Sequence, residues 1–339
     1  MSVELLLAGV VLVALIVYAL TAGADYGGGM WDLLARGPRA RQQRDVIEHA
    51  IAPIWEANHV WLVLVVVVLF TAFPPAFAAM MVALHVPITL VLLGIVLRGS
   101  AFAFRKYDPE REHLHRRWST IFGISSFLTP FFLGITLGGL ASGEIRVLNG
   151  QVVSGFFAGW TSPFALACGA FAQGLFAFLA AVYLTVDAEG AGPVQDDFRR
   201  RALVSGVALA PVAALVFAVA GTGAPAIFRG LTDWWAPLLL LATSVCAVAG
   251  LLALWTRRFR IARAAAAGQV TLILLGWSLA QYPNLIVPDV TIPVAAAERA
   301  TLRLLVVTLA VGAVVLLPSF AYLLYVFRAA RPAPRPGSS

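Results

Sequence analysis

The block Trp55-Glu56-Ala57-Asn58-His59-Val60-Trp61 opens the stretch "WEANHVWLVLVVVVLF" and runs straight into apolar residues. A carboxylate and an imidazole three residues apart share one face of a helix, a pairing able to relay protons or to ligate a metal. A charged side chain at the centre of a bilayer costs about 2.5 to 3.5 kcal/mol on insertion scales, so such residues face protein or water and mark a pathway or a site. Three further ionisable residues sit in apolar surroundings: Asp25 in "TAGADYGGGMWDLL", Arg98 in "VLRGSAFAFRKY", and His85 shortly before Pro87.

The elements that must position these groups follow from composition. With 339 residues, 60% of them hydrophobic, 12% charged and a mean hydropathy of +0.88, the chain has far too much apolar surface for one soluble core. It reads as an all-α polytopic membrane protein. Windows of about 20 apolar residues place nine spans near 4–24, 51–73, 76–103, 119–141, 160–186, 202–224, 234–255, 264–282 and 302–327. They form a single transmembrane domain over 1–327, followed by the Pro- and Arg-rich piece 328–339, expected to be a disordered cytoplasmic tail. No Lys or Arg precedes Arg36 and Glu4 is acidic, so the first apolar run reads as a retained helix and not a signal peptide. Cys168 and Cys246 lie in apolar stretches and read as small hydrophobes, not as a disulfide or a metal motif.

The 24 Lys and Arg residues give the direction of threading. They cluster after the first, third, fifth and seventh spans and in the tail, as in Arg36, Arg39, Arg41 and Arg44 or Arg199, Arg200 and Arg201. The opposite side holds Arg146, Arg229, Arg299 and Arg303. The positive-inside rule then puts the N-terminus outside and the C-terminus in the cytoplasm. The formal charge of +7 belongs to loops facing an anionic leaflet, which removes nucleic acid as the expected partner.

With this threading, Asp25, Glu56, His59 and Arg98 come from three consecutive spans and share the cytoplasmic half of the membrane. Two readings stay open. Carboxylate, imidazole and guanidinium could line a proton-conducting half-channel, or Arg98 could pair with Asp25 or Glu56 as a lock between helices. His85 reads as a packing histidine. A di-metal site would need further intramembrane carboxylates and a second Glu-x-x-His, but the other copies, Glu110 with His113 and Glu112 with His115, fall in a charged loop. His59 and His85, at different expected depths, make a poor haem ligand pair.

At these residues the chain resembles subunit II of the cytochrome bd-type quinol oxidases, as a divergent member. The resemblance covers essentially the whole length: "ADYGGGM" at 24–30, "IAPIWEANHVW" at 51–61, "FTAFPPAFA" at 70–78, "LRGSAFAFR" at 97–105, "LTPFFLGITLGGLASG" at 128–143, "GWTSPFALACGAFAQG" at 159–174 and "QYPNLIVPD" at 281–289. It implies two four-helix bundles plus one peripheral helix in a bacterial plasma membrane. It further implies a haem-free chain without catalysis of its own, partnered by a subunit I that carries haems b and d and oxidises quinol while oxygen is reduced to water. It leaves room for a structural quinone and for a small single-helix subunit. Asp25 matches the second acid of the family's first-helix motif, Glu56 the acid of the tryptophan block, and Arg98 and Arg105 the arginines closing the third helix. Trp55, Asn58 and Trp61 complete that block as structural residues, while Glu56, His59 and Asp25 are the candidate proton pathway. The chain departs from the family at Ala22 and Ala103, where an acid is usual or frequent, and at His59, where Gln or Glu is typical. From a different class, a secondary transporter or proton channel acting without a redox partner is the alternative. The weak likeness between the stretches around Pro130 and Pro283 and the odd span count speak against an inverted repeat.

Overall fold

In hydrocarbon every backbone N–H and C=O must find its partner within its own segment, so long apolar runs fold as helices. A computed structural model of the chain describes residues 2–52, 55–107 and 112–329, with the side chains of 56, 105–107, 112–116, 317 and 323–329 outside that description. The elements begin with α1 (Val3–Leu33), α2 (Ala40–Ile51), α3 (Trp55–Ala72), α4 (Pro74–Ala83), α5 (His85–Tyr107) and α6 (Glu112–Ser142). The hairpin of β1 (Val147–Leu148) and β2 (Gln151–Val152) leads to α7 (Pro163–Asp187), α8 (Pro193–Gly223), α9 (Pro225–Gly230), α10 (Ala236–Trp255) and α11 (Phe259–Gln281). A second hairpin, β3 (Asn284–Ile286) and β4 (Val290–Thr291), precedes α12 (Ile292–Ala295) and α13 (Arg299–Ala329). The tail expected at 328–339 lies outside the described residues from 330 onward.

Among the described residues eight helices are long and apolar enough to cross a membrane, and the bent pair of α3 and α4 counts as a ninth only if the two form one span. The chain is thus an all-α polytopic membrane protein. Helices α1, α3, α5 and α6 pack as one group, α7, α8, α10 and α11 as a second, and α13 lies outside them against α1 and α3. The segment 76–103, read from sequence as one span, divides in the structure. Helices α3 and α4 are bent by 117°, because Pro74 and Pro75 offer no N–H to continue α3 and are suited to a helix's first turn. Leu84 then interrupts the chain before α5. His85 consequently opens α5, its Nδ1 2.8 Å from the Val82 carbonyl oxygen and its ring 5.1 Å from Phe156.

Helix α1 is the axis of the assembly, and its glycines show why the sequence needs them. A Cβ at Gly27 would stand 2.1 Å from the Phe176 carbonyl oxygen of α7, one at Gly28 2.9 Å from Cδ1 of Ile51 in α2, and one at Gly29 2.2 Å from Oγ of Ser126 in α6. Successive helical residues point about 100° apart, so three glycines in a row admit three neighbours on three sides. The close backbone approach that small residues permit is a main source of helix association in membranes.

The two ends are closed differently. At the hairpin end, Asn149 (φ 50°) and Gly150 (φ 76°) supply the left-handed pair that a two-residue β-turn demands. The second hairpin plugs the bundle, with Val287 N–H donating to the Leu140 carbonyl of α6 at 3.0 Å. Arg146 joins the hairpins through Asp289, at 2.8 and 3.1 Å. At the arginine-rich end, Arg199 donates to the carbonyls of Leu254 and Trp255 at 2.7 and 2.9 Å, satisfying the last turn of α10 where a cation is favoured.

Candidate functional site

The first helix group is organised around Arg98, 2% exposed, and Asp25, fully buried. Arg98 reaches from α5 and grips the Asp25 carboxylate with both terminal nitrogens: Nη1 donates to Oδ2 at 2.6 Å and Nη2 to Oδ1. Nη2 also donates to the Asp25 carbonyl at 3.2 Å, and Nε to Oγ of Ser126 in α6 at 2.8 Å. Asn58 of α3 completes the carboxylate, its Nδ2 3.3 Å from Oδ2. Four helices therefore converge on one ion pair. The rings of Tyr26 and Phe122 flank the guanidinium, 4.8 and 4.9 Å from Cζ to the ring centroids. Planar, bidentate and stacked recognition of this kind suits arginine and not lysine. Removing one partner of a pair so enclosed would leave the other buried and unmatched.

The flanking residues extend this layer. Tyr26 stacks on Phe176 of α7 at 6.4 Å, and its hydroxyl lies 3.3 Å from that of Tyr18. Tyr18 in turn lies 6.5 Å from the ring of His59, whose Nδ1 is buried and has no hydrogen-bond partner among the described residues. Trp55 packs on α5, with its ring 5.4 Å from Phe102 and a Cβ at Gly99 only 3.3 Å from it. Trp61 turns toward the periphery, 6.0 Å from Phe320 of α13.

Of the residues singled out from sequence, Asp25, Arg98 and Asn58 meet directly. His59 stands beside them through Tyr18, whereas Trp55 and Trp61 point to different neighbours. Glu56 occupies α3 one turn before His59, but its side chain, like that of Arg105, lies outside the described residues. The acceptor Ser126 and the tyrosines 18 and 26 were not anticipated. The only signal for Ser126 was the polar run Ser125-Ser126 within an otherwise apolar span. Ala22, where an acid is usual in the family, is fully buried among Tyr18, Tyr26 and Leu179. Among the described residues no three His, Cys, Asp or Glu side chains gather as a metal site would require. His59 lies beside Tyr18 near the start of α3, and His85 beside Phe156 at the start of α5.

Fold and site together define a multi-pass helical membrane protein whose first helix group is fastened by a closed intramembrane ion pair. The chain belongs to the cytochrome bd terminal oxidase subunit II family, whose model matches residues 3–327. It is 27% identical over 318 residues to a Bacillus subtilis (strain 168) chain described as subunit II of a cytochrome bd menaquinol oxidase, covering 90% of each. It is 31% identical over 219 residues to the cytochrome bd-I ubiquinol oxidase subunit 2 of Escherichia coli (strain K12), which spans 64% of this chain and 55% of that one. A chain of the bd oxidase from Geobacillus thermodenitrificans shares the fold, with a TM-score of 0.77 at 21% identity over 98% of this chain and 100% of that chain. The protein is therefore a subunit of a bd-type quinol oxidase complex, and membership of subunit II implies a subunit I partner.

Proposed function

We propose that this chain is the haem-free, non-catalytic half of a quinol:oxygen oxidoreductase, securing a haem-bearing subunit I in the membrane and helping to supply protons from the cytoplasm. The observation that supports the assembly role is the ion pair on which α1, α3, α5 and α6 converge. It sets the mutual register of four helices, so that their outer faces form one constant surface for a partner. The orientation with the N-terminus outside and the C-terminus in the cytoplasm is supported by the arginines gathered at one end. Gentle detergent purification of the tagged chain tests the reading. A second chain bearing haem, present in equal amount and with quinol oxidase activity, is expected. A haem-free homo-oligomer that moves protons or solutes by itself would overturn it.

The proton role rests on Glu56 and His59, with Asp25 as the third member of the candidate pathway. It is supported by the unpartnered buried Nδ1 of His59, since a ring nitrogen without a partner is open to receive a proton and pass it on. Glu56→Gln preserves size and hydrogen bonding while removing titration. In assembled complex with wild-type haem content it should lower turnover about tenfold, the low end for losing a proton-transfer group. His59→Gln should lower it as well if the route passes through the imidazole. Normal turnover of both variants from about pH 6 to 8 would sink the proton role and leave the assembly role standing.

A further inference from the structure

Where α1, α2 and α8 meet at the arginine-rich end, a cavity of about 300 Å³ is lined by Arg36, Arg39, Gln43, Asp197, Arg200 and Arg201. Four guanidinium groups face one carboxylate, and that carboxylate is already engaged. Asp197 accepts from Arg39 Nε and Nη2 at 2.8 and 2.7 Å and from Gln43 Nε2 at 2.7 Å. These three hydrogen bonds hold the carboxylate against Arg39 and Gln43. Arg201 is clamped by Gln43 Oε1 at 2.7 Å and by the rings of Trp31 and Phe198, 5.2 and 5.5 Å from its Cζ. Its Nη1 is buried and has no acceptor among the described residues. Among those residues Arg36 and Arg200 have no ion-pair partner either. A buried guanidinium N–H without an acceptor is costly, so the cavity is built for an anion with several oxygens.

A second feature says which anion. On α8, Arg200 is followed at helical spacing by Val204, Val207, Pro211 and Leu215, one face of the helix. Val204 is 70% exposed, Val207 62% and Leu215 52%. A cationic cavity thus stands at the head of an uncovered apolar strip running into the membrane. The neighbouring arginine cluster differs, since Arg257 pairs with Asp196 at 3.0 Å and Arg260 with Glu189 at 3.3 Å. We propose that the cavity binds the phosphate headgroup of an anionic phospholipid, whose acyl chains lie along Val204, Val207 and Leu215. Free phosphate would meet the same arginines but gain nothing from the strip.

The test uses the full complex, delipidated in detergent and titrated with dioleoylphosphatidylglycerol, bound lipid being counted by native mass spectrometry. Wild type should bind this lipid at least about tenfold more tightly than dioleoylphosphatidylcholine, and millimolar inorganic phosphate should displace it only weakly. A basic residue near a membrane surface contributes about 1 kcal/mol toward anionic lipid, or about fivefold. Arg36→Ala/Arg200→Ala should therefore weaken binding roughly thirtyfold. The control Arg41→Ala/Arg258→Ala removes equal charge outside the cavity and should change little. Equal loss in both double variants, equal affinity for the two lipids in wild type, or full displacement by phosphate would each overturn the proposal. The two wild-type measurements decide it even if the arginine variants do not assemble.

Discussion

Asp25→Asn keeps the shape of the side chain and its bond to Asn58 but removes the charge that answers Arg98. The guanidinium is 2% exposed and cannot reach water, so it would remain as an unmatched cation beside Tyr26 and Phe122. Charge centres about 4 Å apart attract by about 4 kcal/mol at an effective dielectric of 20, and removing one partner of a buried pair typically costs 3–5 kcal/mol. Arg98→Met, which leaves the carboxylate unmatched, should cost a similar amount. The double variant Asp25→Asn/Arg98→Met leaves no buried charge and should recover most of the loss, whereas additivity would predict about 8 kcal/mol. The assay is thermal unfolding of the detergent-solubilised complex, with haem content as the measure of assembly. At about 2 °C per kcal/mol for a large domain, each single variant should lower Tm by about 8 °C, and the double variant by less than either. Single variants that assemble with full haem and unchanged Tm would refute the lock. If such an Asp25→Asn complex also lost turnover, Asp25 would be a proton carrier.

Other predictions follow from single contacts. Gly29→Ala and Gly27→Ala should each reduce the yield of folded complex sharply, while Gly9→Ala, with nothing within 4 Å of the added methyl, should be neutral; membrane-fraction yield distinguishes them. Asp289 is held below the ordinary carboxylate range by its hydrogen bond to Arg146. Its contribution is therefore complete above the ordinary carboxylate pKa, about 4, and lost as pH falls below it. Amide exchange of the 284–291 hairpin, corrected for intrinsic rate, should rise on acidification in wild type and lack that component in Asp289→Asn. Arg199→Gln should loosen the end of α10 by about 1.5–3 kcal/mol, the usual worth of hydrogen bonds from a charged group, seen as faster exchange confined to residues near 252–256.

Much of this architecture was legible because charged residues in apolar runs stand out. Asp25, Arg98 and Asn58 announced themselves by being where lipid would not tolerate them. Hydropathy gives depth but not azimuth, however, so the sequence left Asp25 and Glu56 as equal candidates for the arginine. Ser126 was hidden because a hydroxyl in a membrane helix usually bonds its own backbone, as Thr129 does to Ser125 at 2.7 Å. The bend at Pro74 and Pro75 was missed for a related reason, since a window of average hydropathy passes through prolines without registering the donors they lack. The Asn149-Gly150 hairpin had its ordinary turn signal, overlooked between two long spans.

The run Gly27-Gly28-Gly29 also limits how this chain can change its length. Inserting or deleting one residue in α1 ahead of the run would rotate everything beyond it by about 100°, handing each gap to the wrong neighbour and turning Asp25 or the glycines out of phase with α5, α6 and α7. Compensation would require simultaneous changes in three other helices. Lineages of this chain can therefore lengthen or shorten their connections, as between Ser142 and Pro163, far more freely than they can alter the count of residues in the first helix. A single-residue deletion series along the gene should show its deepest trough there.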